Sequence, residues 1–263
     1  MYPIILQING FAIHTYGVFV ALGVLAGVFF AKLEARRAGM PEEKILDLCF
    51  FIIVAAIIGS RIFYVATLPS HFMSHPLEIF MIWKGGLVFY GGFIGAVAAA
   101  LLYVRIQRLS LGKCADIAGL SIPLGHFLGR LGCLSAGCCY GKPSDVPWAV
   151  TFSHPEALAP LHTALHPTQL YHSAGNLAIF LLLFSIRRKK RFDGQIFWLY
   201  VLLYGVIRSG IEVFRGDPRG GMILGGLSVS QGIGLSLAAA AALALLISWK
   251  RRKSPAGHGG NQL

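Results

Sequence analysis

Apolar residues in this chain do not alternate; they gather into seven long runs, at about 16–31, 45–67, 87–104, 115–134, 170–186, 196–213 and 229–249. Each approaches the roughly 20 residues that a helix needs to cross a bilayer. Residues 132–167 form the longest stretch without a helical pattern, rich in Gly, Pro, His and Ser. Alternation over 148–152 predicts a short strand there. Long connections without structure of their own are uncommon unless they carry function. The pattern predicts an all-α integral membrane protein: residues 1–249 as one domain of seven transmembrane helices, with 132–167 as a small external loop or head. The remaining 250–263 are basic, then small and polar, and predict a disordered tail. No Lys or Arg precedes the first run, so it reads as a retained span and not a cleaved signal peptide. No internal repeat stands out, which removes support for an inverted-repeat transporter.

Composition sharpens this reading. Of 263 residues, 56% are hydrophobic and 13% are charged, against roughly 25% charged in an average soluble domain. The net charge of +12 at first suggests nucleic acid, and its distribution says otherwise. Sixteen of the 23 Lys and Arg lie in the first, third and fifth connections and the tail; four lie at the opposite ends of the spans. That asymmetry predicts a periplasmic N-terminus and a cytoplasmic C-terminus. The basic clusters lack interleaved aromatics and are split among four sites, so no nucleic-acid partner is expected. Anionic membrane lipid is the expected neighbour.

The other three basic residues, Arg61, Arg130 and Arg208, fall within or near the runs, as does Glu212. Charge inside a bilayer is costly and ordinarily faces a partner or a cavity. Tyr204, Arg208 and Glu212 are spaced by four and share a helix face. The pair is either an ion pair that holds helices together or part of a site. Arg130 sits in Gly129-Arg130-Leu131-Gly132 near the outer end of its run. Two guanidiniums from different helices are suited to clamping a phosphate, and the abundant phosphate at that depth is a phospholipid headgroup. The run Gly85-Gly86-Leu87-Val88-Phe89-Tyr90-Gly91-Gly92 reads either as close packing through small residues or as room made around Tyr90.

Five cysteines are present. Cys49 and Cys114 read as small buried hydrophobes. Cys133, Cys138 and Cys139 have the spacing C-x4-C-C, which matches neither a common zinc pattern nor C-x-x-C. Packing, a disulfide from Cys133 to one of the other two, and chemistry all stay open. No metal and no cofactor are expected from the spacing.

Taken together, these segments resemble the prolipoprotein diacylglyceryl transferase family. The resemblance rests on His14-Thr15-Tyr16-Gly17, Gly59-Ser60-Arg61 and the double-glycine run with Tyr90. It continues through Gly129-Arg130-Leu131-Gly132 to Gly137 and Gly141, then His166-Pro167-x-Gln169-Leu170-Tyr171. It ends with Tyr204-Gly205-x-x-Arg208-x-x-x-Glu212-x-x-Arg215. It implies a multi-pass enzyme of the bacterial inner (cytoplasmic) membrane, with its active site toward the periplasm. Such an enzyme transfers the diacylglyceryl group of phosphatidylglycerol to the lipobox cysteine of a prolipoprotein signal peptide. A thioether forms and glycerol 1-phosphate leaves.

The expected catalytic set is Arg130, Arg208, Tyr90, Tyr204 and Glu212. Expected substrate contacts are Arg130 on the lipid phosphate, with Arg208, Tyr16, His14, His166, Gln169 and Arg61. The chain departs from the family at three positions: Tyr90 stands where members carry a histidine proposed as base, Cys133 where many carry Asn, and Cys138 near a Glu. His14 and His166 are alternative bases, with unperturbed pKa near 6.5. A catalyst with no protein base is the further alternative. Rival classes are a membrane anion transporter and a membrane thiol oxidoreductase built on the three clustered cysteines.

Overall fold

The computed structural model describes residues 3–8, 11–217, 222–223 and 226–253. A short antiparallel pair, β1 (Ile4–Ile8) and β2 (Phe11–His14), leads into α1 (Thr15–Arg37). Then follow α2 (Glu42–Thr67), the short α3 (Pro69–Ser74), α4 (Phe89–Ile106) and α5 (Leu111–Ala136). The head contributes β3 (Val150–Thr151) paired antiparallel with β4 (Ala164–Leu165). The chain continues with α6 (Thr168–Ile186), α7 (Gln195–Glu212), the pair β5 (Met222–Ile223) and β6 (Leu227–Ser228), and α8 (Val229–Lys253).

Seven long helices thus stand on the seven apolar runs. Six of them, among the described residues, are long and apolar enough to cross a membrane. The exception is α7, where Arg208 and Glu212 interrupt the run. Large apolar side chains such as Leu25, Phe29, Phe50, Ile62, Leu102 and Leu246 point outward and exposed, as a lipid-facing surface requires. The last helix continues four residues past Trp249, and 254–263 lie outside the described residues.

The chain forms two compact units, one of residues 3–30 with 115 onward, the other of residues 31–114. In the second unit, α2 and α4 meet through small residues. A Cβ placed on Gly59 would lie 2.4 Å from the Gly91 carbonyl oxygen, and one on Gly91 2.3 Å from that of Gly59. The double-glycine run therefore serves close backbone packing, the mode by which membrane helices associate without a hydrophobic driving force.

In the first unit, Leu120, Ile179, Leu183, Ile196 and Tyr200 join α5, α6 and α7 in one buried cluster. The register of α7 is fixed by a residue that periodicity does not reveal. Asp116, on the first turns of α5, accepts hydrogen bonds from the backbone N–H of Gly194 (2.9 Å) and Ile196 (2.8 Å) and from Lys190 Nζ (2.8 Å). It satisfies donors that the start of α7 leaves unpaired and places negative charge at that helix's positive end.

Residues 132–136, expected in the loop, belong to α5; residues 137–167 fold as a head with a small core of Phe152, Ala159 and Leu165. The strand predicted at 148–152 appears as β3, extended by a bridge between Phe152 and Leu161. The head is tied back to α7 at a crowded junction. Gly141 N–H donates to the His166 carbonyl (3.0 Å), Lys142 N–H to Phe214 (2.9 Å) and Gly216 N–H to Tyr140 (3.2 Å). A Cβ on Gly141 would fall 2.5 Å from the His166 oxygen and 2.8 Å from the Phe214 oxygen, so only glycine fits.

Candidate active site

Of the residues predicted for the site, His14, Tyr16, Arg130, His166, Gln169, Tyr204, Arg208 and Glu212 belong to the first unit; Arg61 and Tyr90 belong to the second.

In the second unit, Arg61 is buried and directed at backbone. Its Nε donates to the Ile79 carbonyl (2.8 Å), and Nη1 donates to Gly85 (2.8 Å) and Gly86 (3.1 Å). Nη2 donates to Glu78, and the Tyr64 and Phe72 rings flank the cation. Four carbonyls thus hold a guanidinium that in turn holds residues 78–86 in place. Tyr90, in the first turn of α4, is 61% exposed with its ring against Phe89.

In the first unit, Arg130 rides the last turns of α5. Among the described residues it makes no hydrogen bond and no ion pair. A Cβ on the adjoining Gly129 would meet nothing within 4 Å, so open space lies on that face. The start of α1 closes against the same helix at Gly132, whose Cβ would come within 3.4 Å of the Tyr16 Cα. This brings the Tyr16 hydroxyl into electrostatic range of Arg130 and of the three clustered cysteines.

Arg208, by contrast, is already partnered. It is hydrogen-bonded to Glu212 one turn on, Glu212 also accepts from the Ser228 hydroxyl (3.1 Å), and Arg215 stands 3.9 Å away. Arg215 itself grips Asp217 through Nε (2.8 Å) and Nη2 (2.6 Å). Tyr204 packs its ring between Tyr200 and His126, at the edge of the buried cluster.

His166 is not an open base. The Trp148 indole, a donor only, donates to the Tyr171 hydroxyl (2.7 Å), which stands 3.0 Å from His166 Nδ1. A hydroxyl both donates and accepts, so Tyr171 accepts from Trp148 and shares a second hydrogen bond with His166 Nδ1. His14 is exposed at the end of β2. Gln169 is fully buried and donates to the Cys138 carbonyl (2.8 Å), while the neighbouring Thr168 hydroxyl donates to the Cys139 carbonyl (2.7 Å). These two side chains at the start of α6 position the loop, and the buried Gln169 Oε1 has no hydrogen-bond partner among the described residues.

His172 is the residue that motif reading passes over. It is 1% exposed, its Nε2 has no hydrogen-bond partner among the described residues, and the charges of Arg130, Arg208 and Arg215 all bear on it. It continues a polar stripe of Gln169, His172, Ser173 and Asn176, all buried, on an otherwise apolar helix. That spacing is helical, and polar residues at helical spacing in a spanning helix mark an interior face.

All five cysteines are unbridged. Cys133, Cys138 and Cys139 bring their sulfur atoms within 4.8 Å of one another. The thiols of Cys133 and Cys138, then Arg215 and the charge on Arg130, hold the Cys139 thiol below its ordinary pKa against the effect of burial. The thiol of Cys138 is pushed up, by the same shared hydrogen bonds with Cys133 and Cys139 and by burial. The cluster thus favours carrying one thiolate amid positive charge.

Among the described residues, the arrangement presents one guanidinium without a partner, a buried histidine on which three arginine charges bear, and a thiol cluster. It can hold an anion and stabilise negative charge as it develops. Comparison with known proteins bears on what that anion is. The family model of prolipoprotein diacylglyceryl transferase matches residues 3–247. A phosphatidylglycerol–prolipoprotein diacylglyceryl transferase of Clostridium tetani is 37% identical over 237 residues, covering 89% of this chain and 93% of the relative. One from Rhodospirillum rubrum is 34% identical over 268 residues, covering 98% and 96%. One from Geobacter sulfurreducens is 31% identical over 234 residues, covering 87% and 88%.

Proposed function

The chain belongs to the prolipoprotein diacylglyceryl transferase family, and from that premise we propose how its own residues transfer the diacylglyceryl group of phosphatidylglycerol to a prolipoprotein cysteine. It is a membrane transferase of lipoprotein maturation. The anion-transporter and thiol-oxidoreductase readings find no support among relatives named for diacylglyceryl transfer.

The observation that carries the mechanism is the state of Arg130. Arg208, Arg215 and Arg61 each have protein partners; Arg130 has none among the described residues. The phosphate of phosphatidylglycerol docks on Arg130, in the space beside Gly129. Arg208, oriented and neutralised by Glu212, adds hydrogen bonds and little net charge. His172 donates from Nε2 to a phosphate oxygen as charge develops. The peptide thiol loses its proton to water. The thiolate attacks the glycerol carbon that bears the phosphoester, forming C–S as C–O breaks. The electron pair stays on the phosphate oxygen, and glycerol phosphate leaves with two negative charges. Fixed positive charge in a site of low dielectric is typically the largest catalytic contribution.

Tyr16 borders the same space and contacts substrate. In the second unit, Arg61 supports residues 78–86, and Tyr90 stands exposed in the first turn of α4. The enzyme has seven spans, the six apolar helices together with α7, with the N-terminus outside, the C-terminus inside and the head on the periplasmic face of the inner membrane. The distribution of Lys and Arg supports this layout, and a buried Arg208–Glu212 pair makes α7 tolerable in a bilayer.

The test is a transfer assay in detergent with phosphatidylglycerol and a signal-peptide fragment ending past its lipobox cysteine. A mass gain of one diacylglyceryl group on that peptide, absent from a Cys→Ser peptide, with glycerol phosphate released, is the expected result. No gain on the cysteine peptide contradicts the proposal.

A further inference from the structure

The mechanism above leaves three cysteines unused, and their geometry is specific. C-x4-C-C looks unlike a metal site when read along the chain, because adjacent cysteines in extended or helical backbone point apart. Here the backbone turns between them. Gly137 has φ 71° and Cys139 φ 60°, and Cys139 is one of only three non-glycine residues at positive φ among those described. A side chain there is disfavoured and persists only where the surroundings impose it. The surroundings are identifiable. Thr168 and Gln169, both fully buried, grip the carbonyls of Cys139 and Cys138. The result is that the sulfurs of Cys138 and Cys139 turn the same way, toward Cys133 on the last turn of α5, all three within 4.8 Å.

Three sulfurs within 4.8 Å of one another need only a small adjustment to meet the ~3.8 Å sulfur–sulfur edge of a tetrahedral zinc thiolate with bonds of about 2.3 Å. Softness of the donors selects a thiophilic cation. Three protein ligands, and not four, is the pattern of zinc sites that keep a position open for a reacting group. The charge also balances: three thiolates around a divalent cation carry one net negative charge, and Arg130 and Arg215 both act on this cluster.

We propose that Cys133, Cys138 and Cys139 bind a zinc ion whose fourth position receives the thiol of the peptide substrate. The inference rests on the transferase reading and names what activates the nucleophile. On binding, the peptide S–H gives its proton to water and its sulfur displaces a water from the metal. A metal-bound thiol is deprotonated at neutral pH, so no side chain need act as its base. The thiolate then forms the C–S bond while the C–O bond to phosphate breaks, as above. The site stands beside Tyr16 and Arg130, so nucleophile and phosphate meet on one side of the same helix end.

The test is metal analysis and cobalt substitution of the full-length protein in detergent. We expect about one zinc per chain, as for a dedicated thiolate site. With Co²⁺ in its place, we expect the d–d absorption of a tetrahedral thiolate complex, lost in Cys133→Ser, Cys138→Ser and Cys139→Ser. Cys49→Ser and Cys114→Ser keep it. Adding the cysteine peptide to the wild-type cobalt protein should strengthen the sulfur-to-cobalt charge-transfer band, and the serine peptide should not; this reading needs no variant to fold. Absence of a tetrahedral cobalt spectrum, or a native disulfide from Cys133, overturns the inference. Transfer that persists after chelation to metal-free protein also overturns it and leaves the transferase reading standing. A cobalt protein that responds to the peptide, in an enzyme that transfers nothing, instead overturns the transferase reading.

Discussion

The Arg208 guanidinium is hydrogen-bonded to the Glu212 carboxylate one turn along α7, with side chains only 11% and 8% exposed. The pair is the structural opposite of Arg130, which has no hydrogen-bond or ion-pair partner among the described residues. Breaking a buried pair leaves an uncompensated charge. Glu212→Gln is expected to destabilise the protein by about 3–5 kcal/mol, while the double change Arg208→Met, Glu212→Leu restores most of it without restoring transfer. Thermal unfolding in detergent beside the transfer assay checks both halves. A double variant as unstable as Glu212→Gln would contradict the pairing.

Among the described residues His172 Nε2 has no hydrogen-bond partner, and the charges of three arginines bear on it. His172→Phe is expected to lower transfer by ~10²-fold, the order found when one donor to developing charge is removed. His172→Gln, which keeps a donor, should recover part of the loss. If both variants transfer at the wild-type rate, the imidazole has no part in the reaction.

The head is held by the glycine junction. Gly141→Ala forces a methyl against the His166 and Phe214 carbonyls and is expected to cost about 3 kcal/mol. Limited proteolysis should then cut within residues 142–165 while α5 and α6 stay protected. An unchanged digest would mean the junction is looser than its contacts imply.

Arg61 makes the corresponding hold in the second unit. Arg61→Lys keeps the charge but replaces a planar fork by a point charge, which cannot serve carbonyls of Glu78, Ile79, Gly85 and Gly86 together. Faster hydrogen exchange over residues 76–88 is the expected signature, with exchange in α2 and α4 unaltered. Exchange unchanged in both regions would show that the loop is held by other contacts.

The helices were legible because lipid imposes a single rule: about 20 apolar residues with every backbone group bonded internally. Each of the seven runs holds a helix. The limits differed by a few residues where charged ends such as Arg36 and Arg37 extend a helix past its apolar stretch. Arg130 and the Arg208–Glu212 pair were legible because charge in an apolar run is conspicuous.

Roles were less legible than positions. Gln169 and Arg61 carry chemistry-bearing side chains, and both are directed at backbone carbonyls that only the folded chain brings near. His172 was overlooked because a single histidine carries no motif, although the polar stripe with Gln169, Ser173 and Asn176 was present at helical spacing. The cysteine cluster depends on a positive φ at Cys139, which spacing along the chain does not encode.

The central claim is that Arg130 holds the phosphate of the lipid substrate. The most direct test is Arg130→Ala in the transfer assay, on protein shown to insert and to unfold at the wild-type temperature. Transfer is expected to fall at least ~10²-fold. Arg130→Lys should recover only a small part, since a lysine lacks the bidentate fork. Wild-type transfer by Arg130→Ala would contradict the account.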